Sequence, residues 1–144
     1  MRTDLCVRAE QLGDMRVDVH VREHVLAMDY PASDGRAATP LEVLLASLAA
    51  CAANTLALVL RRKMGVTVDA LDVEARAERR AEHPTVLTEI ELGYCVRAAA
   101  LDRDTLDRAL RTAEDMLCPV LAMLRPGTMI TSAARIEAGE AVAR

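Results

Sequence analysis

From Val43 to Leu60 the chain runs for eighteen residues without a charged side chain. The borders of this run are marked as those of a helix. Thr39-Pro40-Leu41-Glu42 supplies an N-cap threonine, a proline at the first helical position and a glutamate three residues after the cap. Arg61-Arg62-Lys63 complements the helix dipole at the far end, with Gly65 beyond it. A helix apolar almost all the way round is expected to be buried centrally. Its length also meets the lower limit for a membrane span. Its alanine-rich interior, Ser47, Asn54 and Thr55, and the lack of a second such run favour a core helix, so no membrane role is expected.

The rest of the chain must supply the surfaces that cover this helix. Leu5, Val7 and Ala9, then Val17, Val19 and Val21, alternate with polar residues on either side of Gly13-Asp14, a hairpin pattern. A third strand is expected at Val25 to Tyr30, ended by Pro31 and a Ser33-Asp34-Gly35 turn. Leu71, Val73, Ala75 and Ala77, then Val86, Ile90, Leu92, Tyr94 and Val96, form a second antiparallel pair. A second helix starts near Asp102 or Asp104. Its apolar positions are Leu106, Ala109, Leu110, Ala113, Met116, Leu117, Val120, Leu121 and Leu124, spaced by threes and fours, and Pro126-Gly127 stops it. Met129 to Glu137 is the last strand. This order implies an α+β fold with one domain over residues 1–144.

A chain of 144 residues can bury roughly two-thirds of its unfolded surface, so no cofactor is needed for folding. There is no Phe or Trp, and the core must be built from Ala, Leu, Val, Ile and Met. The net charge is −4, with basic residues scattered among acidic ones, which argues against nucleic acid as a partner. The N-terminal residues lack the apolar run of a signal peptide, and a cytoplasmic protein is expected.

Cys6, Cys51, Cys95 and Cys118 form no CxxC and have no histidine at metal-ligand spacing, so neither zinc nor a structural disulfide framework is expected. Cys6 and Cys95 fall on the polar phase of their strands. Cys51 lies in the apolar helix among small neighbours, Leu48-Ala49-Ala50-Cys51-Ala52-Ala53. It reads first as inert packing, with room beside the sulfur as the other reading. Pro119 must break the second helix. A restart there puts Cys118 at the cap, where free N–H groups favour a thiolate; the alternative is a kinked core helix with an inert thiol. Glu42 reads first as the capping-box residue. Nine residues of helix separate it from Cys51 by roughly 13 Å, on nearly opposite faces, so a carboxylate serving Cys51 would come from a second copy of the chain. His20, His24 and His83 read as surface residues.

The segment Thr-Pro-Leu-Glu-Val-Leu-Leu-Ala-Ser-Leu-Ala-Ala-Cys ending at Cys51, followed by Cys118-Pro119-Val120, resembles the OsmC/Ohr family of osmotically inducible and organic hydroperoxide resistance proteins. The resemblance implies an OsmC-like fold, with antiparallel sheets packed around two central helices, in an intertwined homodimer. It further implies thiol-dependent reduction of organic hydroperoxides at the dimer interface, with Cys51 as the peroxidatic and Cys118 as the resolving cysteine. A dithiol or a lipoylated protein would be the reductant. In the peroxidase branches an arginine from the N-terminal strands, held by a glutamate at the helix start, activates the thiol. Here Leu41 follows Pro40 and Glu42 comes one place later, turned by about 100° around the helix.

Arg16, after the first hairpin turn, and Arg36, before the helix, are the arginines considered for that role, and each reads first as an ordinary solvated charge. The Pro-x-Glu pattern looks more like the broad OsmC-like branch. Two other readings stand beside the peroxidase: a dimeric small-molecule-binding or thiol-sensing protein on the same scaffold with little or no catalysis, and an α+β protein whose cysteines never react.

Overall fold

Alternating β-branched residues at Val17, Val19 and Val21 build the middle strand of a three-stranded antiparallel sheet, β1 (Arg8–Gly13), β2 (Arg16–Val21) and β3 (His24–Met28). The computed structural model describes residues 4–30 and 36–138; the turn expected over Pro31 to Gly35 lies outside them. The β1–β2 hairpin turns through Asp14 and Met15, with φ of 48° and 64°. Both values belong to the tight turn whose twist matches the flanking strands. β1 begins at Arg8, later than the alternation predicts, and Leu5 and Val7 before it are exposed.

Helix α1 (Pro40–Leu58) begins where the sequence predicts and runs into a π turn over Val59–Lys63. Thr39 and Glu42 form the capping box. Thr39 N donates to Glu42 Oε2 at 2.7 Å, and Glu42 N donates to Thr39 Oγ1 at 3.3 Å. Gly65 follows at φ +64°, a conformation that favours glycine. The expectation of full burial is corrected. Leu48, Ala52, Leu56, Val59 and Leu60 are covered, but only 28% of the helix's most apolar 18-residue stretch is buried in the single chain. Leu44 and Leu58 stand open to solvent. By length and composition the segment Pro40–Lys63 is the one helix among the described residues apolar enough to cross a membrane.

The second sheet has the order β4 (Ala70–Arg79), β5 (Leu87–Arg97), β6 (Met129–Glu137). β4 and β5 pair antiparallel as expected. β6 pairs parallel to β5, so this sheet is mixed rather than antiparallel. The reason is the helical connection between them, which carries the chain back to the end of the sheet where β5 began. That connection is α2 (Arg103–Thr112), a π turn over Ala113–Leu117, and α3 (Pro119–Leu124). Asp102 caps α2 by accepting from Thr105 N at 2.8 Å, and Arg103 Nη1 donates to Ala134 O on β6.

By its internal contacts the chain forms two compact units, residues 1–44 and 45–144. The main core lies in the second. Ile90, Leu92, Tyr94 and Val96 on one face of β5 meet Leu106, Ala109 and Ala113 of the helical connection, with Leu48, Leu56 and Leu60 in the same cluster. Each fully buried leucine or isoleucine there stabilises the fold by roughly 1.5–3 kcal/mol.

Candidate thiol site

The π turns determine which side chains the helices present. In an uninterrupted α-helix the Cys118 N–H would reach Glu114 O. It donates instead to Ala113 O at 2.9 Å, one residue further back. Cys118 then leaves the helix, with φ −81° and ψ 100°, and Pro119 starts α3 at its first position. This is the restart that Pro119 predicts, with Cys118 as its cap. The inserted residue also rotates the side chains around it. Met116, expected on the apolar face, is 75% exposed, while Glu114 turns inward with its side chain 13% exposed.

Cys118 is buried at 2% exposure, and its Sγ donates to the Sγ of Cys51 at 3.0 Å. Cys51 is half-buried on α1, one residue from the fully covered Ala52 and packed against the core. Thr55 Oγ1 donates to the Cys51 carbonyl at 2.9 Å, anchoring the turn that carries the thiol. The helical break and the long apolar helix thus bring two thiols together that lie 67 residues apart in sequence. All four cysteines are free.

The expected thiolate-favouring effect of the cap at Cys118 is corrected. Burial pushes the Cys118 thiol up to about 11, and the hydrogen bond to Cys51 pushes the same way. The backbone N–H groups of Leu121 and Val120 pull it down without reversing the outcome. Cys118 is therefore a held thiol that donates its proton toward Cys51. Cys95 lies on the outer face of β5, where burial and its bond to Glu137 raise its pKa, and Cys6 is exposed.

The other two predicted site residues belong to the 1–44 unit. Arg16 opens β2 and is exposed. Glu42 is held by Thr39, whose backbone N–H and hydroxyl both lower the carboxyl's pKa. Its observed partner is its own helix cap. Among the described residues no group of three His, Cys, Asp or Glu side chains gathers as a metal site would require.

A polar cluster absent from the sequence reading adjoins Cys118. Tyr94 Oη donates to Glu114 Oε1 at 2.8 Å, and Ser132 Oγ donates to the same oxygen. Arg125, the residue that follows α3, lies with Nη2 3.8 Å from Glu114 Oε2, and its Nη1 reaches Glu114 O at 3.5 Å and Asp115 Oδ1 at 3.0 Å. The Tyr94 pKa is raised, first by burial, then by the Glu114 charge and its hydrogen bond, and also by Cys118. One sequence signal pointed here. In a chain without Phe or Trp, a tyrosine on the core phase of a strand needs an acceptor for its hydroxyl.

Known proteins resemble this chain in sequence and in fold. The family model described as OsmC-like protein matches residues 33–133. Protein YhfA of Escherichia coli K12 is 30% identical over 108 residues, covering 75% of this chain and 79% of YhfA. The crystal structure of an OsmC-like protein from Mycoplasma pneumoniae superposes with a TM-score of 0.85 at 19% identity, covering 94% of this chain and 99% of that one. The organic hydroperoxide resistance protein OhrB of Bacillus subtilis superposes at 0.66 with 16% identity, covering 92% and 98%. At these identities the structural matches speak for the fold, and the family match spans both cysteine-bearing helices: the chain belongs to the OsmC-like family.

Proposed function

We propose that the chain is a thiol-dependent reductase of organic hydroperoxides that works through Cys51 and Cys118 as a homodimer. The observation that carries this reading is the 3.0 Å contact between a reachable thiol and a buried one. The family supports it, since OhrB of Bacillus subtilis is named for organic hydroperoxide resistance. Cys118 keeps its proton and donates it in a hydrogen bond to the Cys51 sulfur, so the two sulfurs are already in contact before any oxidation.

The Cys51 thiolate attacks one peroxide oxygen, the O–O bond breaks, and the alkoxide takes a proton and leaves as an alcohol. Cys51 is then a sulfenic acid. Cys118 attacks its sulfur, the S–O bond breaks, and hydroxide leaves as water with the Cys118 proton. The resulting disulfide is returned to two thiols by a dithiol or a lipoylated protein, which is itself oxidised. Arg16 and Glu42 enter as supporting charges from a second copy of the chain. The open apolar faces of α1, at Leu44 and Leu58, are consistent with a partner. We place this chemistry in the cytoplasm, in one functional domain of residues 1–144 with no resident cofactor.

The test is turnover of cumene hydroperoxide with dihydrolipoamide. Cys51→Ser should abolish it while leaving the oligomer folded. Cys118→Ser should release about one alcohol per chain and then stop. Sustained turnover by the Cys51 variant removes the mechanism. A second reading, a thiol-sensing or ligand-binding dimer, is favoured by Leu41 and by the commitment of Glu42 to its own cap. A disulfide that forms once, with no cycling by any dithiol, would select it.

A further inference from the structure

The break before Pro119 leaves a backbone carbonyl without its helical donor, beside a cluster of four polar side chains, Tyr94, Glu114, Arg125 and Ser132. Glu114 O has lost its usual donor, because the Cys118 N–H goes to Ala113 O. Arg125 supplies a replacement from the other end of α3. The Glu114 carboxylate meanwhile binds one hydroxyl from β5 and one from β6, so the turn is tied both to the sheet and to the restarted helix.

We propose that Glu114 is a positioning residue for the thiol pair: its contacts with Tyr94, Ser132 and Arg125 hold the five-residue π turn that delivers Cys118 to Cys51. This rests on the Cys51–Cys118 pair being the working unit proposed above. A partly buried carboxylate accepting two hydroxyls and facing a guanidinium is a stiff anchor, because each contact fixes it in a different direction. Without it the turn can revert toward ordinary helical bonding, in which Cys118 N reaches Glu114 O. That reversion changes the register of Cys118 by one residue and draws its sulfur away from Cys51. Attack on a neighbouring sulfur is sensitive to displacements of this size.

The experiment equilibrates the full chain with reduced and oxidised glutathione and reads the Cys51–Cys118 disulfide by peptide mass spectrometry. The exchange balances, since two protein thiols become a disulfide as oxidised glutathione becomes two reduced molecules. The ratio gives the effective concentration of Cys118 at Cys51. Glu114→Ala should lower it by about tenfold or more. Tyr94→Phe, which keeps the ring in the core, should lower it in the same direction. Glu114→Gln keeps an acceptor oxygen for both hydroxyls and should stay within about threefold of the parent.

Melting curves on the same variants separate positioning from general support. If Glu114→Ala and Tyr94→Phe lower the melting temperature but leave the effective concentration unchanged, the proposal is overturned. A parent chain that closes the disulfide in glutathione yet leaves cumene hydroperoxide unconsumed removes the peroxidase reading and leaves the role of Glu114 intact. A parent chain whose two thiols stay free in oxidised glutathione overturns both.

Discussion

At Cys118 two opposed effects meet on one sulfur. The start of α3 offers the N–H groups of Val120 and Leu121, which favour a thiolate, while a 2% exposed setting penalises the charge. Burial wins, and the thiol is pushed up to about 11. At neutral pH Cys118 should carry roughly a hundredfold less thiolate than an unperturbed cysteine. Iodoacetamide should therefore label Cys51 well before Cys118, as peptide mass spectrometry over a pH series would show. The linkage has a definite sign. The folded pKa lies above the unfolded one, so the stabilisation from the protonated thiol is complete below about pH 8.5 and is lost as pH rises toward 11. Cys118→Ala should flatten the fall in stability of the reduced protein over that window, measured by urea unfolding. Pro119 made the cap legible in the sequence. The direction of the pKa was not, because it depends on how tightly neighbours distant in sequence enclose the sulfur.

At the scale of elements, punctuation in the sequence carried over well. Thr39, Pro40 and Glu42 start α1, Gly65 follows its end, and Asp102 caps α2. The π turn at Ala113–Leu117 could not be read, since nothing local in Ala-Glu-Asp-Met-Leu distinguishes it from an α-helical turn. Tyr94 and Ser132, whose hydroxyls hold Glu114 within it, arrive from other elements, and the exposure of Met116, expected on the apolar face, follows from the turn. The direction of β6 was hidden for a similar reason. The strand alternates in either orientation, and the crossover decides. Strain in the β1–β2 hairpin gives a separate prediction. Met15 holds φ at 64° without being glycine, and it is 54% exposed. Met15→Gly should stabilise the protein by about 1 kcal/mol by removing the left-handed penalty, read as a higher urea midpoint.

For the molecule as a whole, the expected α+β class and element order are found, whereas the full cover expected over α1 is not present in one chain. An apolar sequence records that a surface must be hidden but not what hides it. The separation of the two thiols gives the last prediction. A covalent link between residues 67 apart would close most of the 45–144 unit into a loop. Chain-entropy reasoning gives such a link about 4 kcal/mol of stabilisation. The oxidised protein should melt well above the reduced one in differential scanning calorimetry, and Cys51→Ser should erase the gap. On that footing the oxidised chain would be the more durable species. A protease that samples open chains would clear the resting form first, and the molecules that survive longest would be those still waiting for a reductant.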